Sequence, residues 1–407
     1  MKIFPEVLLK HYHQSKLYVP RGFFYMQITT EFELGKYFTF ELSKDLPIHR
    51  WFYYKEGFAP QITQWALQHE KISSGILVDP FCGVGTSMLA AKSSGLKGYG
   101  SDVSPVPVLA SKVKTENYIQ EDISQINTFV SSIHSLKETS SYDWDFELFS
   151  PRAAFPKSNY NGLLALRAAI ASVESEKIRS FLMLALISII PQVGIFIKDG
   201  GVLKIEKRKM AMPVKVAFKK KINKMIFDIA HQSNGLVPSI SQTDARNLSL
   251  DEWTADIVVT SPPYLNNVDY TKVYGLELSL LFLDKSITKT IRGDSLRSFI
   301  TSNLPPENVP EEIGDVGYNV PVIGNYFADL EKTILEIKRV LKPTGACYLV
   351  IGNSVIHGMQ IFVDELLASI AERHGMQSEI IVGAERIADV KPRKVKIRES
   401  VVLMRRI

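Results

Sequence analysis

The sequence predicts an α/β fold: a mostly parallel sheet with helices on both faces, interrupted by a mostly helical insertion. Three observations carry this prediction. A short apolar strand runs into a glycine loop and a helix at Gly75 to Ser94, a second strand and helix follow, and the same alternation returns from Asp256 onward. Between these stretches, Tyr118 to Val237 breaks the rhythm with helical patterns. The 407 residues also exceed one domain, at about 150 residues per unit, and the interrupting block accounts for the excess.

Residues 1–46 carry no motif and read as an N-terminal extension. Gly75 to Asp79 (GILVD) is an apolar run with β-branched members that stops at Pro80, the signature of a buried parallel strand. Thr86 to Ser94 is rich in helix-forming Ala, Leu and Met and ends at Gly95. Lys97 to Val103 is the next strand and Ser104 to Asn117 the next helix, so 47–117 forms the first half of the sheet unit. Residues 118–237 form the insertion, and 238–407 the second half. In the insertion, Phe181 to Ile197 is 17 residues without a charge, at the lower limit of a membrane span. Ser188, Pro191, Gln192 and Gly194 in its second half predict instead a buried helix ending near Pro191. The second half offers strands at Asp256 to Thr260 and Ala346 to Ile351, with a helix at Tyr326 to Leu341 and a turn at Pro343 and Gly345. A helix at Ile361 to His374 precedes two closing strands, Ser378 to Val382 and Ser400 to Met404. Asn303 to Val320, rich in Pro, Gly and Asn, is expected to be an ordered surface loop.

Composition excludes disorder and fibres, at 45% hydrophobic and 22% charged. Cys82 and Cys347 are too few for a disulfide framework or a four-thiolate zinc site and lie in apolar segments. With no secretory pattern at the start of the chain, the expectation is a cytosolic protein with no metal and no membrane partner. The net charge of +5 hides an uneven distribution. Lys204 to Lys224 holds nine Lys/Arg and one Glu, a tract of +8 that leaves the remainder at −3. Lys207, Arg208, Lys209, Lys219, Lys220 and Lys221 in this tract are candidate phosphate contacts, against the plainer reading of a solvated face. A second basic cluster spans Lys391 to Arg398 and either lines the same cleft or solvates a hairpin.

The residues that carry chemistry cluster in three strings. Asp79, Pro80, Phe81, Cys82, Gly83, Val84, Gly85 and Thr86 lie between a strand and a helix, where open α/β sheets bind ligands. Gly83 and Gly85 let the backbone turn sharply and let a ligand approach closely. The string is neither GxGxxG nor a Walker loop, and an acid before the glycines repels phosphate but suits an ammonium group. Asp102 ends the second strand, where an acid grips two ribose hydroxyls; the alternative is a helix cap beside Ser104. A ligand with an amine and a ribose, such as S-adenosylmethionine, satisfies both acids. Thr260, Ser261, Pro262, Pro263 and Tyr264 follow the DIVVT strand. Consecutive prolines have no N–H and rigid dihedrals, so the carbonyls around them and the Ser261 hydroxyl form an acceptor cluster beside the flat face of Tyr264. That arrangement suits a planar substrate bearing an exocyclic amine.

VDPFCGVGT, SDVSP, TDAR at Thr243 to Arg246, and TSPPY together resemble the S-adenosylmethionine-dependent DNA amino-methyltransferases. His49 to Pro60 (HRWFYYKEGFAP) resembles the segment that closes their cofactor pocket, and Arg339 to Ser354 and RESVVLMRR resemble their later strands. The resemblance implies a Rossmann-like class I methyltransferase sheet with target recognition in the insertion. It implies that Asp79, Pro80, Phe81, Gly83, Gly85 and Thr86 surround the methionine moiety of the cofactor, Asp102 its ribose and Asp244 its adenine amine. Ser261 and the Pro262 carbonyl would accept hydrogen bonds from the target amine of a flipped base in duplex DNA, with Pro263 fixing the turn and Tyr264 stacking. The exocyclic nitrogen attacks the methyl directly, in line, so no cysteine nucleophile is needed. Serine at position 261 favours cytosine-N4 over adenine-N6 as the target. The family further suggests a restriction-modification setting with a cognate restriction endonuclease. The rival from another class is a catalytically silent nucleic-acid-binding subunit, against which intact Asp79, Asp102 and TSPPY stand.

Overall fold

The structure, a computed structural model, describes residues 27–136, 143–199, 201–266, 268–298, 305–390 and 393–407. Most of the N-terminal extension, residues 1–26, therefore lies outside the described residues. The strands are β1 Gln27–Thr30, β2 Ile76–Asp79, β3 Lys97–Asp102, β4 Phe196–Asp199, β5 Val202–Ile205, β6 Ser239–Gln242, β7 Ala255–Thr260, β8 Leu341–Gly352, β9 Ser354–Ile356, β10 Met359–Ile361, β11 Met376–Val390 and β12 Arg393–Arg406. The main helices are α1 Pro60–His69, α2 Thr86–Ser93, α3 Pro105–Thr115, α4 Gln120–Ser132, α5 Lys157–Ala171, α6 Glu176–Ser188, α7 Val214–Ile229, α8 Pro321–Val340 and α9 Val363–Arg373.

Eight strands form one sheet in the order β1-β11-β12-β8-β7-β2-β3-β6. Neighbours run parallel except β12, which opposes both β8 and β11. This is the Rossmann-like class I methyltransferase sheet expected from the sequence. Its central strands are apolar on both faces because helices cover both. Val78 and Val258 point into a core with Ile334 of α8 and Leu366 of α9. Their neighbours Leu77, Ile257 and Val259 point the other way, onto Ile62 of α1 and Met88 of α2. Three layers follow from the alternation of side chains along a strand. Proline in the first turn starts α1, α3 and α8, where its missing N–H is not required.

Several expectations change in detail. The sheet does not begin after Pro47: Gln27–Thr30 adds an edge strand parallel to β11, with Gln27 opposite Glu379. Four residues are too few for periodicity to show. The turn at Pro343 and Gly345 is a loop-out within β8, since Ala255 faces Leu341 and Ile257 faces Ala346. The segment from Asn303 to Val320 is not all loop, because Gly314–Asn319 forms a short helix. Within the insertion a two-stranded hairpin, β4 with β5, joins the helices. The apolar run from Phe181 is interior as expected: α6 ends at Ser188, and Phe181, Leu182, Leu184, Ala185, Leu186 and Ile187 are fully buried. Among the described residues no helix is long and apolar enough to cross a membrane.

The insertion shares a core with the sheet unit. Phe181, Leu184, Phe218 and Ile222 pack in one cluster with Val106, Ala110 and Val113 of α3 and with Trp51. Polar contacts cross the joint as well, with the fullest set at Asp228. Asp228 of α7 is fully buried and accepts from the Ile48 N–H at 3.1 Å, the Trp51 indole N–H at 3.0 Å and the Arg50 Nε at 2.9 Å, with Arg50 Nη2 on its other oxygen. A buried carboxylate is tolerated only with such a full set of donors. Removing it leaves the Arg50 charge and two N–H groups unpaired. We expect Asp228→Ala to lower unfolding stability by about 3–5 kcal/mol, read from urea denaturation, against a smaller loss for Asp228→Asn.

Candidate active site

The two chemical loops leave the carboxyl ends of β2 and β7, adjacent strands of the sheet, so they emerge side by side. Asp79 fastens them together. Its carboxylate accepts from the Phe81 N–H at 3.0 Å within the glycine loop, from the Thr260 hydroxyl at 2.6 Å at the end of β7, and from the Ser87 hydroxyl on α2. It is 1% exposed. The sequence expectation sets Asp79 against the cofactor's ammonium; in the structure the carboxylate faces inward, as the knot between two loops. Burial pushes its pKa up to about 6, the three hydrogen bonds opposing that rise.

The two glycines answer different needs. Gly85 has φ +82°, and a Cβ there would lie 2.5 Å from the Ser111 hydroxyl and 3.0 Å from its Cα, so it is required where α2 starts against α3. Gly83, at φ +49°, has the Tyr54 ring as its nearest neighbour, at 3.6 Å from a Cβ, so space and not a close clash surrounds it. Phe81 is half-buried, while Pro80 and Thr86 are buried, Thr86 as the first residue of α2. The loop is docked on β3 by Cys82 N–H to the Ser101 carbonyl, 2.8 Å.

Asp102 stands at the end of β3, half-buried, its Oδ1 accepting from the Ser104 N–H at 2.8 Å and the Gly83 backbone close by. The carboxylate turns the chain into α3, as the cap reading expects, while bordering Gly83. Burial raises its pKa to about 6. Tyr54 completes this side. It stacks on Tyr274 with centroids 4.9 Å apart, and burial together with the charge of Asp102 raises its phenol pKa. Tyr274 donates to Glu56 at 2.7 Å, and Lys198 of β4 lies 4.0 Å over the Tyr274 ring while pairing with the buried Glu277 at 2.7 Å. The insertion hairpin thereby props the aromatic wall beside Gly83. Tyr54 and Glu56 lie in the HRWFYYKEGFAP string, whereas Tyr274, Glu277 and Lys198 carry no local signal.

Asp244 is at the same edge, the preceding Thr243 N–H bonding the Asp102 carbonyl at 3.2 Å. Its carboxylate, however, is gripped by Arg246, Nε at 2.9 Å to both oxygens and Nη2 at 2.6 Å, with the Arg246 N–H at 2.9 Å. The residue expected to meet the adenine amine thus also holds a turn and an ion pair.

In the TSPPY loop, carbonyls are claimed selectively. Tyr326 donates to the Pro263 carbonyl at 2.9 Å, Asn266 N–H to that of Tyr264 at 2.8 Å, and Ser354 to that of Leu265. No described residue donates to the Pro262 carbonyl. The Tyr264 ring lies over Gly352, where a Cβ would come within 2.9 Å of it. Burial and the neighbouring Glu399 raise the pKa of its phenol, with the nearby Ser261 opposing the rise. Asp269, close downstream, is committed to capping the Tyr270–Val273 turn and to Arg292.

The basic tract divides. Lys207, Arg208, Lys219 and Lys220 are exposed. Lys209 and Lys221 are turned inward, which corrects their reading as phosphate contacts. Lys209 donates to the Pro191 and Phe196 carbonyls, the latter at 2.8 Å. Lys221 donates to the Arg50 carbonyl at 3.1 Å, and burial lowers its pKa to about 7. Among the described residues no group of His, Cys, Asp and Glu is arranged to hold a metal ion.

The chain is similar along most of its length to Type II methyltransferases. It is 24% identical over 434 residues to M.BsoBI of Geobacillus stearothermophilus, covering 89% of this chain and 85% of that protein. It is 25% identical over 404 residues to M.AvaI of Nostoc sp., covering 85% and 83%, and 23% identical over 375 residues to M.MvaI of Kocuria varians, covering 81% and 82%. No family profile matches. Among solved structures, a SAM-dependent methyltransferase from Methanosarcina mazei aligns over 84% of this chain and 97% of its own, at 11% identity and a TM-score of 0.29. The fold assignment rests on the strand order, not on that superposition.

The raised pKa of Asp79 fixes a sign for pH dependence. The folded state holds this proton more tightly than the unfolded chain, whose carboxyl titrates near 3.8. Its stabilising contribution is therefore full below about pH 4 and is lost as pH rises through about 6. Unfolding free energy measured in urea should fall across that window, and Asp79→Asn should flatten the fall. An unchanged profile in the variant would refute the assignment.

Proposed function

We propose that the protein is an S-adenosylmethionine-dependent DNA methyltransferase that modifies the exocyclic N4 of cytosine in duplex DNA. The observation that carries this reading is the Asp79 tie: it holds the glycine loop against a TSPPY loop whose Pro262 carbonyl takes no hydrogen bond from any of the described residues. Similarity over most of the chain to proteins named Type II methyltransferases supports it. The cradle fits the cofactor: Gly83 leaves room beside the Tyr54 ring, and half-buried Asp102 offers an acceptor for ribose hydroxyls. When bound, S-adenosylmethionine supplies a methyl group on a sulfonium, an electrophile that needs no metal or covalent enzyme intermediate.

The chain's own residues then do three things. Pro262 O and Ser261 Oγ accept the two amine hydrogens, orienting the nitrogen lone pair toward the glycine loop. Tyr264 stacks on the flipped base, offsetting the few kcal/mol of extrusion. Tyr326, through the Pro263 carbonyl, keeps the loop from yielding as the base enters. Exposed Lys207, Arg208, Lys219 and Lys220 supply phosphate contacts. Serine at 261, a neutral acceptor weaker than a carboxylate, supports cytosine as the base. A restriction-modification setting with a partner endonuclease accompanies this reading.

Labelled methyl should pass from S-adenosylmethionine to duplex DNA, and Ser261→Ala with Pro262→Ala should abolish transfer while retaining cofactor binding. Nucleoside mass spectrometry should show N4-methylcytosine; N6-methyladenine would overturn the choice of base, and label in RNA alone would overturn the reading. Gly83→Ala should weaken cofactor binding with a stability loss of about 1 kcal/mol. Gly85→Ala should instead cost about 2–4 kcal/mol in unfolding, because Ser111 stands in its way.

A further inference from the structure

The closing hairpin is longer than the sheet it closes. β12 pairs with β8 only from Arg405 to Glu399, and Glu399 lies opposite Gly352, the last residue of β8. On the other side, β1 covers β11 only from Glu379 to Val382. The β11–β12 ladder nevertheless continues through Glu385↔Arg398 to Val390↔Arg393. Six residue pairs at about 3.4 Å each form a two-stranded ribbon that projects roughly 20 Å beyond the carboxyl edge of the sheet. That edge carries both chemical loops.

A free two-stranded ribbon is marginal in water, yet this one is braced at its root. Arg398 is held by Asp364 at 2.6 Å and by Glu365 at 2.5 Å. Arg386 pairs with Glu399 at 2.8 Å, beside Tyr264. The β9–β10 hairpin leans on it through Gln360 to the Lys396 carbonyl at 2.9 Å, and β9 is itself tied to the TSPPY loop by Ser354 on the Leu265 carbonyl. Beyond the root the ribbon presents charge: Lys394, Lys396 and the apolar Ile387, 68% exposed, stand in solvent. From Glu385 to Arg398 the sequence has six Lys/Arg against Glu385 and Asp389. The Lys396 pair with Glu385 is an exposed one, which holds a lysine only weakly.

We propose that this ribbon is a DNA-docking arm, separate from the basic tract of the insertion, in which Lys394 and Lys396 contact backbone phosphates while the ribbon lies along the major groove, whose width of about 12 Å admits a two-stranded strand pair. The proposal rests on the reading of the protein as a DNA methyltransferase and adds a second point of contact. The insertion and the arm then hold the duplex on either side of the TSPPY loop.

The test uses the full chain with Lys394→Ala and Lys396→Ala, duplex-oligonucleotide binding by fluorescence anisotropy from low to moderate salt, and methyl transfer to the same duplex class. Loss of two phosphate contacts should shallow the log–log salt slope by about 1.8 and weaken binding about 30-fold at 0.15 M salt. KM for DNA should rise, with kcat at saturating DNA and cofactor affinity unchanged. Lys394→Arg with Lys396→Arg should restore wild-type binding. Wild-type protein that methylates DNA while the alanine variant keeps the same slope and affinity overturns the arm alone. Failure of the arginine pair to restore binding also overturns it, since the effect is then on ribbon structure. Wild-type protein that neither binds nor methylates duplex DNA overturns both the arm and the reading beneath it.

Discussion

A single buried carboxylate organises the chemical end of this molecule. Asp79 receives hydrogen bonds from the glycine loop, from α2 and from the last residue of β7, so the glycine loop and the TSPPY loop have a common anchor. Their separation is then set by side-chain geometry at one point and not by the compliance of two independent loops. The arrangement is costly in isolation, since burial disfavours the charge and raises the pKa to about 6. It is tolerated because the partners are two hydroxyls and a main-chain N–H, all able to donate.

A second linkage runs outward from the same place. Tyr54 borders Gly83, stacks on Tyr274, and Tyr274 lies beneath Lys198 of the insertion hairpin. Besides the shared core, polar contacts join the insertion to the sheet unit, among them Asp228 beneath the His49–Trp51 turn and Lys198 above the aromatic wall. A segment that reads as an addition to the fold thus supports the aromatic wall beside Gly83.

The parts legible in the sequence are those encoded locally. Strand, glycine loop and helix are contiguous, so GILVD, the DPFCGVGT string and the following helix could be placed within a residue or two. TSPPY announces itself because two prolines permit few conformations. What could not be read is orientation. Asp79 and Asp244 look alike in sequence as strand-end or turn acids, and only tertiary neighbours turn Asp79 toward Thr260 and Asp244 toward Arg246. Lys209 and Lys221 look like the lysines beside them, yet helix phase and a buried carbonyl draw them inward. Contacts between distant elements, such as Tyr54 with Tyr274, leave no periodic trace, and neither does a four-residue strand such as β1.

That short strand bears on how the chain comes together. Gln27 lies opposite Glu379, across 352 positions of sequence, and β2 must wait for β7 across the whole insertion. Loop closures of this length make assembly slow relative to local helix formation. During synthesis the insertion helices and α3 can bury their shared core first, while the parallel sheet stays incomplete. Its edge is sealed only after the final hairpin has left the ribosome, so β1, among the first strands made, is among the last to find its place.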